Sequence, residues 1–185
     1  MAPDEFTFRP LTREDFPLLS EWLGAAHVEI WWREESDVGS IEERYGPVVD
    51  GTDPTEVFIV GREAQPLGLI QRFKIADNPE WQSTLSVTGT PRNGMGIDYF
   101  IGAERMIGRG LGPGLIDRFL RQTWVQYPEI TSVVVSTNEN NRRSWRALEK
   151  AGFHRAWSGG LESGDPSDEG TSYVYVLYRP TTPSI

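Results

Sequence analysis

Residues 6–11 alternate apolar and polar positions, with Phe6 and Phe8 on one side, and predict an edge strand that Pro10 ends, since proline has no N–H for a ladder. Thr12 with Asp15 three residues on reads as a capping box opening a helix whose apolar face is Phe16, Leu19 and Leu23, joined by Trp22. Residues 36–49 predict a further helix with Ile41, Tyr45 and Val48 on one side, and Gly51, Thr52, Asp53 and Pro54 break the chain. The runs 56–60 and 67–73 read as antiparallel strands joined by a turn at 62–66, and 96–102 reads as another strand. Leu115, Phe119, Leu120 and Trp124 give 115–126 the buried face of a helix. The β-branched stretch 131–136 predicts a strand, 140–150 a helix stopped by Gly152, and 153–157 with 172–178 two closing strands.

Three stretches do not reduce to core periodicity. In 27–32 the adjacent Trp31 and Trp32 lie about 100° apart on a helix, so both cannot face inward. Either one lines a groove or both rings sit half-buried on an amphipathic helix. Residues 76–93 are weakly periodic and hold Asp77, Glu80 and Trp81, a candidate substrate wall or a plain surface loop. The loop before the last strand carries Glu162, Asp165, Asp168 and Glu169, which are either solvated or available to ammonium groups.

Composition narrows the function classes. A chain of 185 residues without a Pro/Gly/Ser linker predicts one domain over 1–185, with an ordered core at about 6–180. It has no cysteine, so disulfides, thiolate metal sites and a cysteine nucleophile are excluded, and its two histidines, His27 and His154, show no metal spacing. A net charge of −9 argues against a nucleic-acid partner and suits a cationic substrate or simple solubility. No secretory segment or long apolar run is present, which predicts a cytoplasmic protein without a membrane partner. A monomer or a homodimer is compatible with all of this.

The densest chemical signal is the segment Ile107, Gly108, Arg109, Gly110, Leu111, Gly112, Pro113 and Gly114, between a strand and a helix. Such a turn leaves backbone N–H groups unpaired at a helix N-terminus, where the dipole favours an anion. The glycine spacing matches neither a dinucleotide fingerprint nor a P-loop. A phosphate cradle and a tight connection without ligand both remain open on this stretch alone.

Arg109-Gly110-Leu111-Gly112 resembles the pyrophosphate turn of the GCN5-related N-acetyltransferases (GNAT superfamily), with Ile107 where that pattern has Gln or Arg. Asn141-Arg142-Arg143-Ser144 and Glu149-Lys150-Ala151-Gly152-Phe153 resemble the family's downstream motif. Glu21-Trp22-Leu23, His27 with Trp31 and Trp32, residues 68–71 and Gly96-Ile97-Asp98 are similar to the aminoglycoside 6′-N-acetyltransferases, and the likeness runs from Phe8 to Arg179.

The resemblance implies an α/β (α+β) fold: a mixed sheet of about six to seven strands, splayed between the fourth and fifth, with about four helices. It implies acetyl-CoA as cofactor, its pyrophosphate on N–H groups of 107–114 apart from Pro113, and Arg109 adding a charged contact. Pantetheine would pair with backbone at Phe100 and Ile101, and Asn141 and Ser144 would approach its end. Asp98 would anchor the substrate ammonium and accept its proton, and N–H groups near Phe100 or Ile101 would stabilise the oxyanion without a covalent acetyl-enzyme. The acceptor would be an aminoglycoside amine at the 6′ position, walled by Trp31, Trp32, Gln71, Asp77, Glu80, Trp81, Asp168 and Glu169. Leu148 stands where many members have a tyrosine that protonates the thiolate, and Ser136 where the aminoglycoside enzymes tend to have an acid. Acyl transfer to a lysine or polyamine, and a non-catalytic acyl-CoA-binding module, are the alternatives.

Overall fold

The computed structural model describes residues 6–180. Seven strands, β1 (Phe6–Pro10), β2 (Glu56–Arg62), β3 (Gln65–Lys74), β4 (Met95–Ile101), β5 (Ser132–Asn138), β6 (His154–Gly159) and β7 (Ser172–Tyr178), form one sheet in the order β1-β2-β3-β4-β5-β7-β6. The helices are α1 (Phe16–Leu23), α2 (Ala26–Trp32), α3 (Val38–Val49), α4 (Pro79–Thr84), α5 (Gly112–Gln126) and α6 (Arg142–Lys150). Two helices more than the expected four form, α2 over the tryptophan pair and α4 in the stretch after β3, both of them short. Asn78 starts α4 by accepting from the Trp81 N–H at 3.1 Å, with Pro79 in the first turn where its missing N–H costs nothing. The stretch 76–93 is therefore a chain of short helical turns as far as Thr88, and irregular only from 89 to 93.

The predicted capping box is present. Asp15 accepts from the Thr12 N–H and hydroxyl, both at 2.9 Å, and Arg9 grips the same carboxylate at 2.6 and 2.8 Å, tying β1 to the turn before α1. Helix α5 begins at Gly112, earlier than the apolar periodicity suggests, because Pro113 sits in its first turn.

Every neighbouring strand pair is antiparallel except β4 and β5. That parallel pair is in register only at Met95 with Val133 and Gly96 with Val134, after which the strands part. Each face of the sheet has its own core. Ile70, Ile97, Leu115, Phe119 and Leu148 pack beneath α5 and α6, while Leu69, Phe100, Leu19, Leu23, Ile41 and Tyr45 pack beneath α1 to α3. Residues 69 and 70 point to opposite faces as a strand requires, and both are fully buried, which makes β3 central. One cation lies inside this packing. Arg72 is 1% exposed, bonds to Glu56 at 2.6 Å, Thr123 at 3.0 Å and Gln126 at 2.6 Å, and lies over the rings of Phe58, Phe119 and Tyr127.

Candidate active site

Where β4 and β5 part, the sheet opens into a cavity of about 1460 Å³. That exceeds the roughly 300–1,000 Å³ of a pocket for one small ligand, so there is room for two. Its walls come from the glycine turn, α5 and α6 on one side, and from α2, α3, α4 and the loop 163–168 on the other.

The glycine turn is built by backbone conformation. Gly108 (φ 74°) and Gly110 (φ 72°) are left-handed, and a Cβ on either would meet nothing within 4 Å, so glycine is needed there for dihedral freedom and not for space. Left-handed residues alternating with right-handed ones turn successive N–H groups to one side, making an anion nest. Among the described residues, the N–H groups of Gly108, Arg109, Gly110, Leu111, Gly112 and Gly114 have no acceptor within the protein. Two expectations are corrected here, for Ile107 and for the Arg109 side chain. The Ile107 N–H is spent on the carbonyl of Glu104 at 3.1 Å. The Arg109 guanidinium folds back onto the carbonyl of Arg105 at 2.9 Å and stays out of the cavity wall. Gly114 lies off the wall, packed towards Phe6, and, like Arg109, has only its backbone N–H to offer the nest.

Past Gly96, the β5-facing edge of β4 has lost its partner strand, and Phe100 and Ile101 line the gap. The Ile101 carbonyl accepts from Nε2 of His27 at 3.1 Å, so that nitrogen carries the ring proton and the carbonyl is occupied. Asn141 caps α6 by accepting from the Ser144 N–H at 3.2 Å, which places both side chains on the wall. Tyr99 reaches Ser144 from β4, and burial pushes its hydroxyl up to about 12.

Asp98 faces the cavity from the adjacent position on β4. Gln71, opposite it on β3, donates to Oδ2 at 2.9 Å. Desolvation in the cleft pushes the Asp98 carboxyl up to about 6; the Gln71 bond opposes this, Asp165 and Asp168 reinforce it, and Arg44 opposes it. A carboxylate poised there is charged at neutral pH and still able to take a proton.

Around Asp98 stand Trp31, Trp32, Asp77, Glu80, Trp81 and Asp168, all on the wall. Both tryptophans of the pair reach it, and Trp32 also packs edge-on against Phe100 with ring centroids 4.8 Å apart. Helix α2 ends directly after them at Arg33, in a left-handed conformation (φ 54°). Arg33 then bonds to the Pro166 carbonyl at 3.0 Å and to Glu169 at 2.5 Å. Glu169 is thus off the cavity wall, contrary to expectation, and acts as the outer fastening of the acidic loop. Asp168 points inward. Its carboxylate takes the Ser163 hydroxyl at 2.6 Å and lies 3.5 Å from the Ser136 hydroxyl, and burial raises its pKa.

Sequence reasoning missed Glu34 and Arg44 on this wall and the Arg143, Arg146 and Lys150 side chains on α6, while Asp165 of the acidic loop does reach the wall. Arg143, Arg146 and Lys150 recur at helical spacing and were legible as a stripe; the others reach the site only through tertiary packing. Among the described residues no group of three or more His, Cys, Asp or Glu is placed to hold a metal ion, and no helix is long and apolar enough to cross a membrane.

Comparison with known proteins gives this geometry a family. The aminoglycoside N(6′)-acetyltransferase type 1 of Klebsiella pneumoniae is 29% identical over 156 residues, 82% of this chain and 75% of that protein. Two solved structures of aminoglycoside acetyltransferase AAC(6′)-Ib superpose at 26% identity. The complex with paromomycin and acetyl-CoA has a TM-score of 0.79, covering 95% of this chain and 94% of that one. The complex with coenzyme A and kanamycin has a TM-score of 0.77, covering 94% and 95%. Residues 12–158 match the model of the acetyltransferase (GNAT) domain, and the chain belongs to that family.

Proposed function

We propose that this chain is an acetyl-CoA-dependent N-acetyltransferase acting on the 6′-amine of an aminoglycoside in a ternary complex. The observation that carries this reading is the position of Asp98, at the splay between an unpaired N–H nest and a wall of carboxylates and indoles. The nest, the open edge of β4 and the adjoining Asn141 and Ser144 fit a pyrophosphate with a pantetheine arm. Acetyl-CoA supplies the activated acetyl thioester.

The chain's own residues do the rest. Asp77, Glu80, Asp165 and Asp168 attract the ammonium groups of the acceptor, and Trp31, Trp32 and Trp81 offer faces to its sugar rings. Asp168, held beside Ser136, supplies the carboxylate that β5 lacks at that position. Asp98 accepts the proton of the attacking amine, with Gln71 fixing its orientation. N–H groups at Phe100 or Ile101 stabilise the developing oxyanion. The similarity to aminoglycoside 6′-acetyltransferases supports the acceptor.

Arg44 favours a second reading. Its guanidinium lines the acceptor side, 3.4 Å from Glu34, and suits the carboxylate of a lysine derivative acylated on its side-chain amine. An amine panel with purified protein and acetyl-CoA separates the two. Release of CoA with 6′-amino aminoglycosides supports the first reading, and release only with lysine derivatives supports the second. CoA binding without turnover on any amine leaves a non-catalytic binding module.

A further inference from the structure

We propose that Tyr99 is a catalytic residue whose hydroxyl donates to the departing sulfur of the acetyl donor from the α6 side of the splay. The inference rests on the acetyl-CoA reading above. Along β4, Ile97 and Tyr99 pack with the core beneath α5 and α6, whereas Phe100 packs with the core beneath α1 to α3. Strand alternation puts Asp98 on the Phe100 face. The base and the phenol therefore flank the splay from opposite faces, and both line the cavity.

The Tyr99 hydroxyl is an underused donor. Among the described residues it meets only the carbonyl and the hydroxyl of Ser144, both at 3.4 Å, which is long against the usual ~2.7–2.8 Å for O–H···O. Other hydroxyls on the wall are committed: Tyr45 donates to Glu34 at 2.7 Å and Ser163 to Asp168 at 2.6 Å. A phenol facing a cavity on long contacts alone retains its donor for a ligand atom. Its place on α6 is also defined. Ser144 and Leu148 are four residues apart and share a helix face, and Leu148 is fully buried with no polar atom to offer. Tyr99 thus brings a hydroxyl from β4 to a stretch of α6 that supplies none at position 148.

The chemistry balances as follows. The C–N bond forms and the C–S bond breaks; the surplus proton of the amine goes to Asp98, and the electron pair of the C–S bond goes to sulfur. Tyr99 donates a hydrogen bond to that developing charge. With its hydroxyl at about 12, against ~8.5 for an ordinary thiol, Tyr99 keeps its proton, and the thiolate takes one from water while Asp98 returns one to it.

Calorimetric titration of the full chain with CoA and with desulfo-CoA, which lacks the thiol, is the test, because it reads the sulfur contact without turnover. The native protein is expected to favour CoA by about tenfold at about pH 9.5, where the thiol is ionised, and by little at about pH 6.5, as a hydrogen bond to a charged acceptor predicts. Tyr99→Phe should lose that preference, keep the native affinity for desulfo-CoA and unfold at the native temperature. Asp98 and Asp168 on the acceptor side and Arg143, Arg146 and Lys150 on α6 face the same cavity but are common to both proteins, so the difference reads the hydroxyl. The kcat of Tyr99→Phe should fall about tenfold or more with the limb from Asp98 in place. No native preference for CoA at the higher pH, an undiminished one in Tyr99→Phe, or equal weakening of both ligands in that variant would overturn the proposal. If the native protein binds neither ligand, the acetyl-CoA reading itself fails and takes this one with it.

Discussion

Gln71 on β3 and Asp98 on β4 are direct cross-strand partners, and the amide of the first donates to Oδ2 of the second at 2.9 Å. The bond leaves Oδ1 available to a ligand in the cavity. It also restrains the rise in the Asp98 pKa that desolvation causes.

With the Asp98 carboxyl at about 6, kcat/KM should rise with pH through that value and level off above it, since the base acts only when ionised. Asp98→Asn should lower turnover by ~10²-fold or more and remove that limb, with acetyl-CoA binding retained. Gln71→Leu removes a bond that stabilises the charged form, so the limb should move to higher pH. A pH–rate series on the three proteins checks this, and near-native turnover in Asp98→Asn would remove Asp98 from the role.

The same ionisation predicts a stability effect of opposite sign to the activity effect. The folded-state pKa of Asp98 lies above its value of 3.8 when unperturbed, so the folded protein retains a proton that the unfolded chain has released between those values. The contribution is fully favourable below about 3.8 and is lost as pH rises through about 6, a difference of ~3 kcal/mol at most. Asp98→Asn should therefore melt several degrees above the native protein at pH 8 and show little gain at pH 4. Thermal unfolding at both values provides the comparison.

Gly110→Ala adds a methyl into open space but forces alanine into a left-handed conformation. The strain costs ~1–2 kcal/mol and tilts the N–H groups of the nest. CoA affinity should fall while the fold persists, and calorimetry with circular dichroism separates the two effects.

Arg33→Ala releases the fastening of the acidic loop at Pro166 and Glu169. Because this ion pair is exposed, stability should change by less than ~1 kcal/mol. The KM for the amine should rise, through misplacement of Asp165 and Asp168, with CoA affinity unchanged. Steady-state kinetics varying each substrate in turn reads the split.

Much of this site was legible because the residues that form it are local in sequence. The glycine turn, the Asn141 cap and the acid at position 98 each announce themselves within a few neighbours. Alternating and β-branched runs located the strands along the chain, and the splay came with the family resemblance. What could not be read depends on which of several hydrogen-bond partners, near or far in the chain, a group takes. The bond from the Ile107 N–H to Glu104, the retreat of Arg109 onto Arg105 and the capture of Glu169 by Arg33 are competitions for hydrogen-bond partners that spacing does not reveal. Arg44 on α3 and Asp168 beside Ser136 meet Asp98 only after three elements have packed. The short helix α4 escapes periodicity because the Asn78 cap and Pro79, rather than an apolar stripe, begin it, and α2 is too short, at seven residues, to show a stripe.

The most direct measurement uses two 2-deoxystreptamine antibiotics that differ only in a 6′-amine or a 6′-hydroxyl, with thiol release followed at saturating acetyl-CoA. Turnover with the 6′-amine and none above background with the 6′-hydroxyl, together with a product acetylated at the 6′ nitrogen, is the predicted result. Equal turnover of the two, or turnover of neither while a lysine derivative is acetylated, would contradict it.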